Sequence, residues 1–434
     1  MLQLQLVEHE KIASLSSGIP KRVVGGLLIA QEDFAALKKK LLAADDRDDD
    51  IGGLLKPCMW RNTEALQARN YAGVILLPSG LCLEILPKIC LAEDDGSAER
   101  TRAILLKMLR TLPDSPFRTF EQAILASSKV PLLEIFIACF LHEVGSLIRR
   151  GICSDYVAIE GNRSFLRGKL LLHEHLRRNA ARQERLYVRY DEFLPDRPEN
   201  RLVKSALIQV ARWSNNGENQ RRCQIHCQAF ADVPTSKDVA MDLANCRSDR
   251  NLQHYKTALS WCRLLLQEQS PVPQAGIHRC LSVLFPMEKL FERYVAVRLR
   301  EKTASLGWRT TEQAQCHHLV EHHNGHPFYA LRPDILFSKQ NRRVVADTKW
   351  KCISSAEDIK KQGDLYQLFA YGEKYLSTDE NRLSFLIYPQ TEIFRRPLPA
   401  FFFRQRDAGL HAVPYDLETD ECAILELMEH QAAS

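Results

Sequence analysis

Two aspartates and a lysine occupy one segment of the chain, and their residue types suit metal-dependent cleavage of a phosphodiester. Within Leu331–Trp350, two apolar runs are separated by a polar break, a pattern that predicts paired strands carrying Asp334, Asp347 and Lys349. Side chains alternate between the faces of a strand, so Asp347 and Lys349 are expected on one face and Thr348 on the other. The three residues therefore predict one shared site.

Oxygen ligands and a nearby cation are what such a reaction needs. Carboxylates such as those of Asp334 and Asp347 can hold Mg²⁺, or Mn²⁺, which keeps several of its waters and can activate one of them. The ammonium of Lys349 can orient that water or offset the charge that develops on the phosphate. The same residues would also fit a turn followed by solvated charges on an edge strand. The flanking elements are therefore needed to choose between a metal site and exposed charges.

The flanking segments supply elements that could position these residues. An apolar stripe predicts a helix at 287–295 with Glu292 beside the stripe. A second predicted helix, at 364–371, carries Gln367 and Tyr371 on one face, and a strand follows it. The predicted order is helix, hairpin, strand, helix and strand.

Several short sequences in this region are distinctive. They are Leu-Phe-Glu in the first helix, Arg-Pro-Asp, Val-Ala-Asp-Thr-Lys-Trp, Leu-Tyr-Gln-Leu-Phe-Ala-Tyr and Leu-Ile-Tyr-Pro, with further segments upstream at 150–156, 166–169, 190–193 and 200–204. Together they resemble the McrC family, the nuclease subunits of the McrBC modification-dependent restriction systems within the PD-(D/E)xK nuclease superfamily. The resemblance covers residues 125–434, and residues 66–90 resemble the amino-terminal block of longer family members.

This resemblance implies a Mg²⁺-dependent DNA endonuclease. The family pattern would make Asp334, Asp347 and Glu292 the metal ligands, and Lys349 would complete the catalytic set. The residues that would support the site through hydrogen bonds are Gln367 and Tyr371.

The resemblance also implies a partner. McrC chains act with McrB, a hexameric GTP-hydrolysing AAA+ ring that recognises modified double-stranded DNA of the 5-methylcytosine type, and the middle region of McrC enters the ring and stimulates hydrolysis. In this chain the corresponding segment is 155–195, with Arg167, Gly168, Lys169 and Asp191 as candidate contacts, although these residues could instead build turns. The chain contains no Gly-x-x-x-x-Gly-Lys-Ser/Thr motif, so it is expected to bind no nucleotide alone.

A chain of 434 residues is expected to contain two or three domains. The predicted fold class is multidomain α/β. Residues 1–120 would form a β-rich accessory domain that folds alone, 121–275 a mixed α/β middle domain that contacts the partner, and 276–434 a restriction-endonuclease-like α/β/α domain. Local patterns predict helices at 31–44 and near 130–149, 199–213 and 251–268, a hairpin at Pro78-Ser79-Gly80, an exposed acidic loop at 45–50 and a linker at 271–276.

Composition narrows the class of protein. With 59 Lys and Arg against 54 Asp and Glu, a net charge of +5 and 45% hydrophobic residues, the chain is expected to be globular and soluble rather than disordered. Basic residues cluster at 177–189 and 339–351, where they could follow a phosphate backbone or form solvated faces. The most apolar predicted helix, at 130–148, contains charged residues and is too interrupted to span a bilayer.

Cysteine usage favours a reducing cytoplasm, because the 13 cysteines are odd in number and have no repeated spacing that would indicate a disulfide framework. Cys223 and Cys227 flank His226 without a second pair that would complete a zinc site. A denser Cys and His group at 316–326 surrounds Asn324-Gly325, which predicts a hairpin turn. We therefore expect structural or solvated roles for both groups.

Two other functions remain compatible with these residues. The chain could be a non-catalytic activator or stalk whose nuclease site has decayed, or a DNA-binding subunit without hydrolysis. Metal-dependent cutting of DNA in the presence of the partner would separate both from the nuclease. The sequence does not identify the DNA modification that is recognised, and the partner could use GTP or ATP.

Overall fold

A computed structural model describes residues 2–15, 19–44, 55–89, 96–113, 115–119, 130–182, 184–247, 249–266, 281–360, 363–376, 382–402 and 408–430. The chain divides into two compact units. Residues 133–275 form one, which we call the middle unit, and residues 2–132 with 276–434 form the other, the split unit. Within the described residues, no helix has the length and apolar character that crossing a bilayer requires.

The amino-terminal part of the split unit is rich in strands, as predicted. Its elements are β1 (Gln3–Val7), β2 (Lys11–Leu15), β3 (Lys21–Val23), β4 (Gly26–Ala30), α1 (Gln31–Ala44), β5 (Leu55–Trp60), β6 (Thr63–Ala68), β7 (Tyr71–Leu76), β8 (Cys82–Leu86), α2 (Ser97–Leu109) and a short 3₁₀ helix (Pro116–Thr119). Strands β3, β4, β2, β6 and β5 form one sheet in that order. The Pro78-Ser79-Gly80 turn joins antiparallel β7 and β8, which confirms the predicted hairpin.

The middle unit is mainly helical around one small sheet. Its elements are α3 (Leu132–Arg150), β9 (Asp155–Arg163), β10 (Lys169–Leu170), α4 (Leu172–Asn179), β11 (Leu186–Leu194), α5 (Pro198–Trp213), α6 (Gly217–Ala229), α7 (Val239–Asn245), a 3₁₀ helix (Arg250–Tyr255) and α8 (Lys256–Leu266). Helix α5 begins at Pro198, whose ring suits the first turn, and its buried Leu202, Ala206 and Val210 follow helical spacing. The predicted helices near 130–149, 199–213 and 251–268 correspond to α3, α5 and α8.

The carboxyl-terminal part of the split unit alternates helices with a mixed sheet. Its elements are β12 (Leu281–Pro286), α9 (Met287–Ala304), β13 (Arg309–Glu312), β14 (His317–His323), β15 (His326–Leu331), β16 (Ile335–Lys339), β17 (Arg342–Thr348), α10 (Ala356–Lys360), α11 (Asp364–Tyr375), β18 (Arg382–Pro389), β19 (Phe401–Phe402), β20 (Ala408–Tyr415) and α12 (Ile424–His430). The sheet order is β13-β16-β17-β18-β20-β19, with β17, β18 and β20 parallel.

Both faces of this sheet are covered. Helix α11 packs in a core with Val345 and Leu386, while Ala346 and Phe385, which alternate with them, are also fully buried. Continuous apolar runs are typical of parallel strands covered on both faces. The mixed α/β multidomain class is therefore confirmed, and the predicted order of helix, hairpin, strand, helix and strand is present.

The amino- and carboxyl-terminal parts of the chain share a sheet, which differs from the predicted division into three domains. Strand β12 pairs antiparallel with β7, so the order is β1-β8-β7-β12. Gly73 allows this close pairing, because it has a φ of +142° and a Cβ there would lie 2.1 Å from the carbonyl oxygen of Val283. Residues 1–120 are thus not a separate unit, and the first division of the chain lies at 132/133 rather than 120/121. The predicted acidic loop at 45–50 and linker at 271–276 lie outside the described residues.

A buried carboxyl group also joins the two parts. Glu8, only 2% exposed, accepts hydrogen bonds from the backbone N–H of Lys88 at 3.0 Å and from the indole N–H of Trp350 at 3.1 Å. Burial raises the pKa of Glu8 to about 7, although both hydrogen bonds oppose the rise. Trp350 also packs against Phe291 of α9, with ring centroids 5.3 Å apart. Glu8 therefore contacts the residue that directly follows Lys349.

We predict that Glu8 makes the stability of the protein fall as pH rises. Since its folded-state pKa lies above the unfolded value of 4.5, the folded chain holds a proton that the unfolded chain has lost, and stability is lost between pH 4.5 and 7. Relative to a Glu8→Gln variant, the free energy of unfolding in urea should fall by about 1 kcal/mol per pH unit in this window. Glu64→Gln, at a half-exposed carboxyl of β6, is the control. Parallel pH profiles for wild type and Glu8→Gln would contradict the assignment.

Candidate active site

The pairing of β16 with β17 brings the two aspartates together. Ile335 pairs with Ala346 in this antiparallel hairpin, so Asp334 and Asp347 occupy the neighbouring positions, one just before β16 and one within β17. Lys349 follows the last residue of β17, and its backbone N–H continues the ladder by donating to the carbonyl of Ile387 at 2.9 Å. The residues predicted to share a site do lie together, at the carboxyl end of β17.

Asp334 is held by Thr348. The backbone N–H and the hydroxyl of Thr348 donate to Asp334 Oδ2 at 2.7 and 2.8 Å. Strand alternation predicted that Thr348 would lie on the other face of β17 from Asp347 and Lys349; its hydroxyl contacts Asp334, whereas Lys349 contacts Asp347. Thr348 therefore contacts one oxygen of Asp334 and leaves Oδ1 for other partners.

Asp347 is the most deeply buried carboxylate of the group, at 1% exposure. Its Oδ2 lies 2.5 Å from Lys349 Nζ, and its Oδ1 has no hydrogen-bond partner among the described residues. Burial, and then the neighbouring charge of Asp334, raise its pKa above the ordinary range. A buried oxygen without a partner is costly unless something else, such as a cation, satisfies it.

The predicted supporting residues reach the site through Lys349. Its ammonium donates to Gln367 Oε1 at 3.0 Å, and Gln367 Nε2 lies 2.7 Å from the hydroxyl of Tyr371. That hydroxyl donates to the carbonyl of Arg332 at 2.9 Å. Burial alone would lower the pKa of Lys349, but the charges of Asp347 and Asp334 outweigh it and raise the pKa. Lys349 therefore stays protonated at neutral pH.

Glu292, on α9, joins the group through a residue that the sequence did not mark. The side-chain Nε2 of Gln313 donates to Glu292 Oε1 and, at 3.2 Å, to Asp334 Oδ1. Burial, followed by the charge of Asp334, raises the pKa of Glu292. Gln313 could not be found from local patterns, because it reaches the site only through the pairing of β13 with β16.

The donor set fits Mg²⁺ better than a transition metal. Oxygen atoms of Glu292, Asp334 and Asp347 are available, and Asp347 Oδ1 is a buried oxygen that lacks a partner in the described part of the chain. No three His, Cys, Asp or Glu side chains among the described residues converge closely enough to hold a metal by themselves. Mg²⁺ in proteins is usually held by one or two carboxylates and takes its other ligands from water and phosphate.

The two Cys and His groups lie in different elements: Cys223, His226 and Cys227 on α6, and the group at 316–326 around β14 and β15. The group at 316–326 lies on the β14–β15 hairpin, whose turn at Asn324-Gly325 was predicted. His226 Nε2 lies 3.1 Å from the carbonyl of Leu141, so this imidazole is used inside the middle unit.

The candidate partner contacts lie around the small sheet of the middle unit. The guanidinium of Arg167 lies 4.2 Å from the ring centroid of buried Tyr190. Gly168, with φ +72°, passes so close to β11 that a Cβ would lie 2.4 Å from the carbonyl oxygen of Arg189. Lys169 and Asp191 are exposed on β10 and β11. Gly168 is thus packed against β11, while Arg167, Lys169 and Asp191 are exposed.

The two predicted basic clusters contain several paired residues. Arg177 and Arg178 lie 3.6 and 2.7 Å from Glu174. Near the site, Lys351 lies 3.1 Å from Asp364. These pairs reduce the positive charge that each cluster offers to a phosphate backbone.

Comparison with known proteins identifies one family and several solved structures of similar fold. A family model described as McrBC 5-methylcytosine restriction system component matches residues 66–389. No curated protein matches the chain. A chain from a refined half-complex of a tetradecameric assembly of Thermococcus gammatolerans McrB AAA+ hexamers with bound McrC is 19% identical, with a TM-score of 0.68, and the match covers 95% of this chain and 94% of that one. A chain from the cryo-EM structure of the Thermococcus gammatolerans McrBC complex is 21% identical, with a TM-score of 0.50, over 73% of this chain and 90% of that one.

We predict that Asp347→Asn stabilises the metal-free protein. The variant removes a buried charge, and because the folded-state pKa of Asp347 is raised, the stability lost by wild type accumulates as pH rises towards that pKa. In EDTA at pH 8 the free energy of unfolding should increase by about 1–3 kcal/mol, the usual cost of an unsatisfied buried polar group. The gain should be smaller at pH 5. A variant that is less stable than wild type at pH 8 would show that Asp347 is already compensated.

Proposed function

The chain belongs to the family of McrBC 5-methylcytosine restriction system components, and from this premise we propose that it is the Mg²⁺-dependent DNA endonuclease subunit of such a system. In this proposal it cleaves modified double-stranded DNA with a PD-(D/E)xK type of site and stimulates an McrB-like AAA+ partner. The observation that carries the nuclease is the buried Asp347, whose Oδ1 lacks a partner in the described chain while Lys349 and Asp334 stand beside it.

Asp334, Asp347 and Glu292 would bind the metal together with water and phosphate oxygens, which complete a shell that the three carboxylates do not form by themselves. A Mg²⁺ ion held by these residues would supply Lewis acidity toward a phosphoryl oxygen and would lower the pKa of a water. Thr348 fixes Asp334 by two hydrogen bonds to Oδ2, so its Oδ1 keeps a constant direction. Such outer contacts orient the carboxylates before substrate arrives.

Lys349 would act as a cation rather than as a base. Its raised pKa keeps the ammonium protonated, and a protonated amine cannot take a proton from water. Its three N–H groups can reach Asp347, Gln367 and one further acceptor, which we propose is the phosphate or the attacking water. Gln367 and Tyr371 would fix the direction of this ammonium.

The middle unit offers a surface for the AAA+ partner. The rings of Tyr156 and Phe193, on neighbouring strands, contact each other at a tilt of 48° with centroids 5.0 Å apart, although the two residues are 71% and 60% exposed. Further large apolar side chains exposed around the same sheet are Phe165, Leu166, Leu172 and Leu176. Exposed apolar patches of this kind mark interaction sites. The similar chain from the assembly of McrB AAA+ hexamers with bound McrC supports this choice of partner.

We predict that Asp347→Ala and Lys349→Ala lose cleavage but keep partner stimulation. Each variant removes a charge from the proposed site, and the expected loss of plasmid cleavage with Mg²⁺ and nucleotide is about 100-fold or more. The sheet of β9, β10 and β11 lies in the other unit, so stimulation of the partner's nucleotide hydrolysis should remain. Both activities are measured on one preparation of the complex. Normal cleavage by Asp347→Ala would refute the proposal that this chain is the nuclease. The chain would then be better explained as a non-catalytic activator.

We predict further that the sheet of the middle unit carries the stimulation. A Tyr156→Ser, Phe193→Ser double variant should reduce stimulation of nucleotide hydrolysis by about 10-fold or more, because buried aromatic anchors dominate interface energies. Deleting 155–195 should abolish stimulation. Phe402→Ser, at an aromatic residue that is 57% exposed on β19, is the matched control. Full stimulation by the double variant would place the partner contact elsewhere.

A further inference from the structure

We propose that Gln313 is a positioning residue that holds Glu292 and Asp334 together as a pair of metal ligands. The inference rests on the proposed function and assigns to it a residue that the sequence pattern did not contain. One side-chain amide bridges the two carboxylates, since Gln313 Nε2 donates to Glu292 Oε1 and to Asp334 Oδ1.

The bridge uses both hydrogens of a single NH₂ group. Glu292 belongs to α9 and Asp334 precedes β16, so the amide ties a helix to a strand. Its backbone is fixed as well, because the N–H of Gln313 donates to the carbonyl of Asp334 at 3.0 Å. The preceding residue, Glu312, forms ion pairs with Arg293 and Arg300 of α9. Gln313 is thus anchored to both elements that it connects.

An amide suits this position because it is neutral. Two carboxylates that share a site repel each other, and a cationic side chain between them would bring them together but compete with the metal. An amide donates two hydrogen bonds without adding positive charge. The negative charge of Glu292 and Asp334 therefore remains available to a divalent cation.

The backbone conformation at position 313 does not by itself account for a glutamine, which indicates that the side chain is what matters there. Its φ of +47° lies in the left-handed region, where glycine and asparagine are favoured and glutamine has no advantage. A position chosen only for its turn would suit asparagine at least as well. Asparagine, however, is one methylene shorter and cannot span both carboxylates in the same way.

The test measures Mn²⁺ binding to the full chain by calorimetry, without DNA or nucleotide. Gln313→Asn keeps an amide and tolerates the left-handed backbone, and Gln313→Gly removes the side chain and relieves the backbone. Both should weaken Mn²⁺ binding by about 10-fold, the lower end of the effect expected from outer-shell partners of metal ligands. Gln340→Asn is the matched control, because Gln340 also has a left-handed backbone, with φ +54°, at the opposite end of the β16–β17 hairpin.

The outcomes separate this inference from the proposed function. Weaker binding in both Gln313 variants, with Gln340→Asn unchanged, supports the positioning role. Unchanged affinity in Gln313→Asn and Gln313→Gly, while Asp347→Asn abolishes binding, overturns the role of Gln313 and leaves the metal site standing. Wild-type protein that binds no Mn²⁺ overturns both.

Discussion

A buried negative charge that the protein compensates only in part governs the organisation of the split unit. Asp347 is almost fully excluded from water, and among the described residues only Lys349 faces one of its oxygens closely. A carboxylate in such a place either takes up a proton or needs a cation. The neighbouring groups are arranged around this requirement: Thr348 fixes Asp334, Gln367 fixes Lys349, and Gln313 joins Asp334 to Glu292.

The strand that carries Asp347 is supported from both ends of the chain. Strand β12 joins the sheet of β7 and β8, and Glu8 accepts the indole N–H of Trp350. Lys107 of α2 lies 3.0 Å from Asp420, which follows β20. The amino-terminal strands are therefore part of the framework that holds the candidate site. Among the described residues the hydrophobic clusters of the two parts are separate, and Leu284 of β12, from the carboxyl-terminal part, packs against the amino-terminal cluster.

The middle unit follows a different logic. A buried carboxylate of this unit is hydrogen-bonded on several sides: Glu134, at 6% exposure, accepts hydrogen bonds from Ser214, from the backbone N–H of Asn215 and from Asn219. These contacts fix the connection between α5 and α6. Its sheet instead leaves aromatic residues in water, although β9 and β11 pair along all nine residues of each strand. A rigid sheet with an exposed apolar surface is suited to a partner rather than to chemistry.

The sequence alone determined the local elements and the chemical types at the site. Hydrophobic periodicity predicted the helices α1, α3, α5, α9 and α11, and turn residues predicted the hairpins at Pro78-Ser79-Gly80 and Asn324-Gly325. The two strands around the polar break predicted that Asp334, Asp347 and Lys349 lie together. All of these features depend on residues that are close in sequence. Tertiary structure decided what depends on distant pairing: the union of residues 2–132 with 276–434 through β12, the contact of Glu8 with Trp350, and the arrival of Gln313 between two carboxylates. No local sequence pattern encodes these contacts, because the sequence around each residue fits a solvent-exposed or a core position equally well. Only the pairing with a distant segment decides between the two.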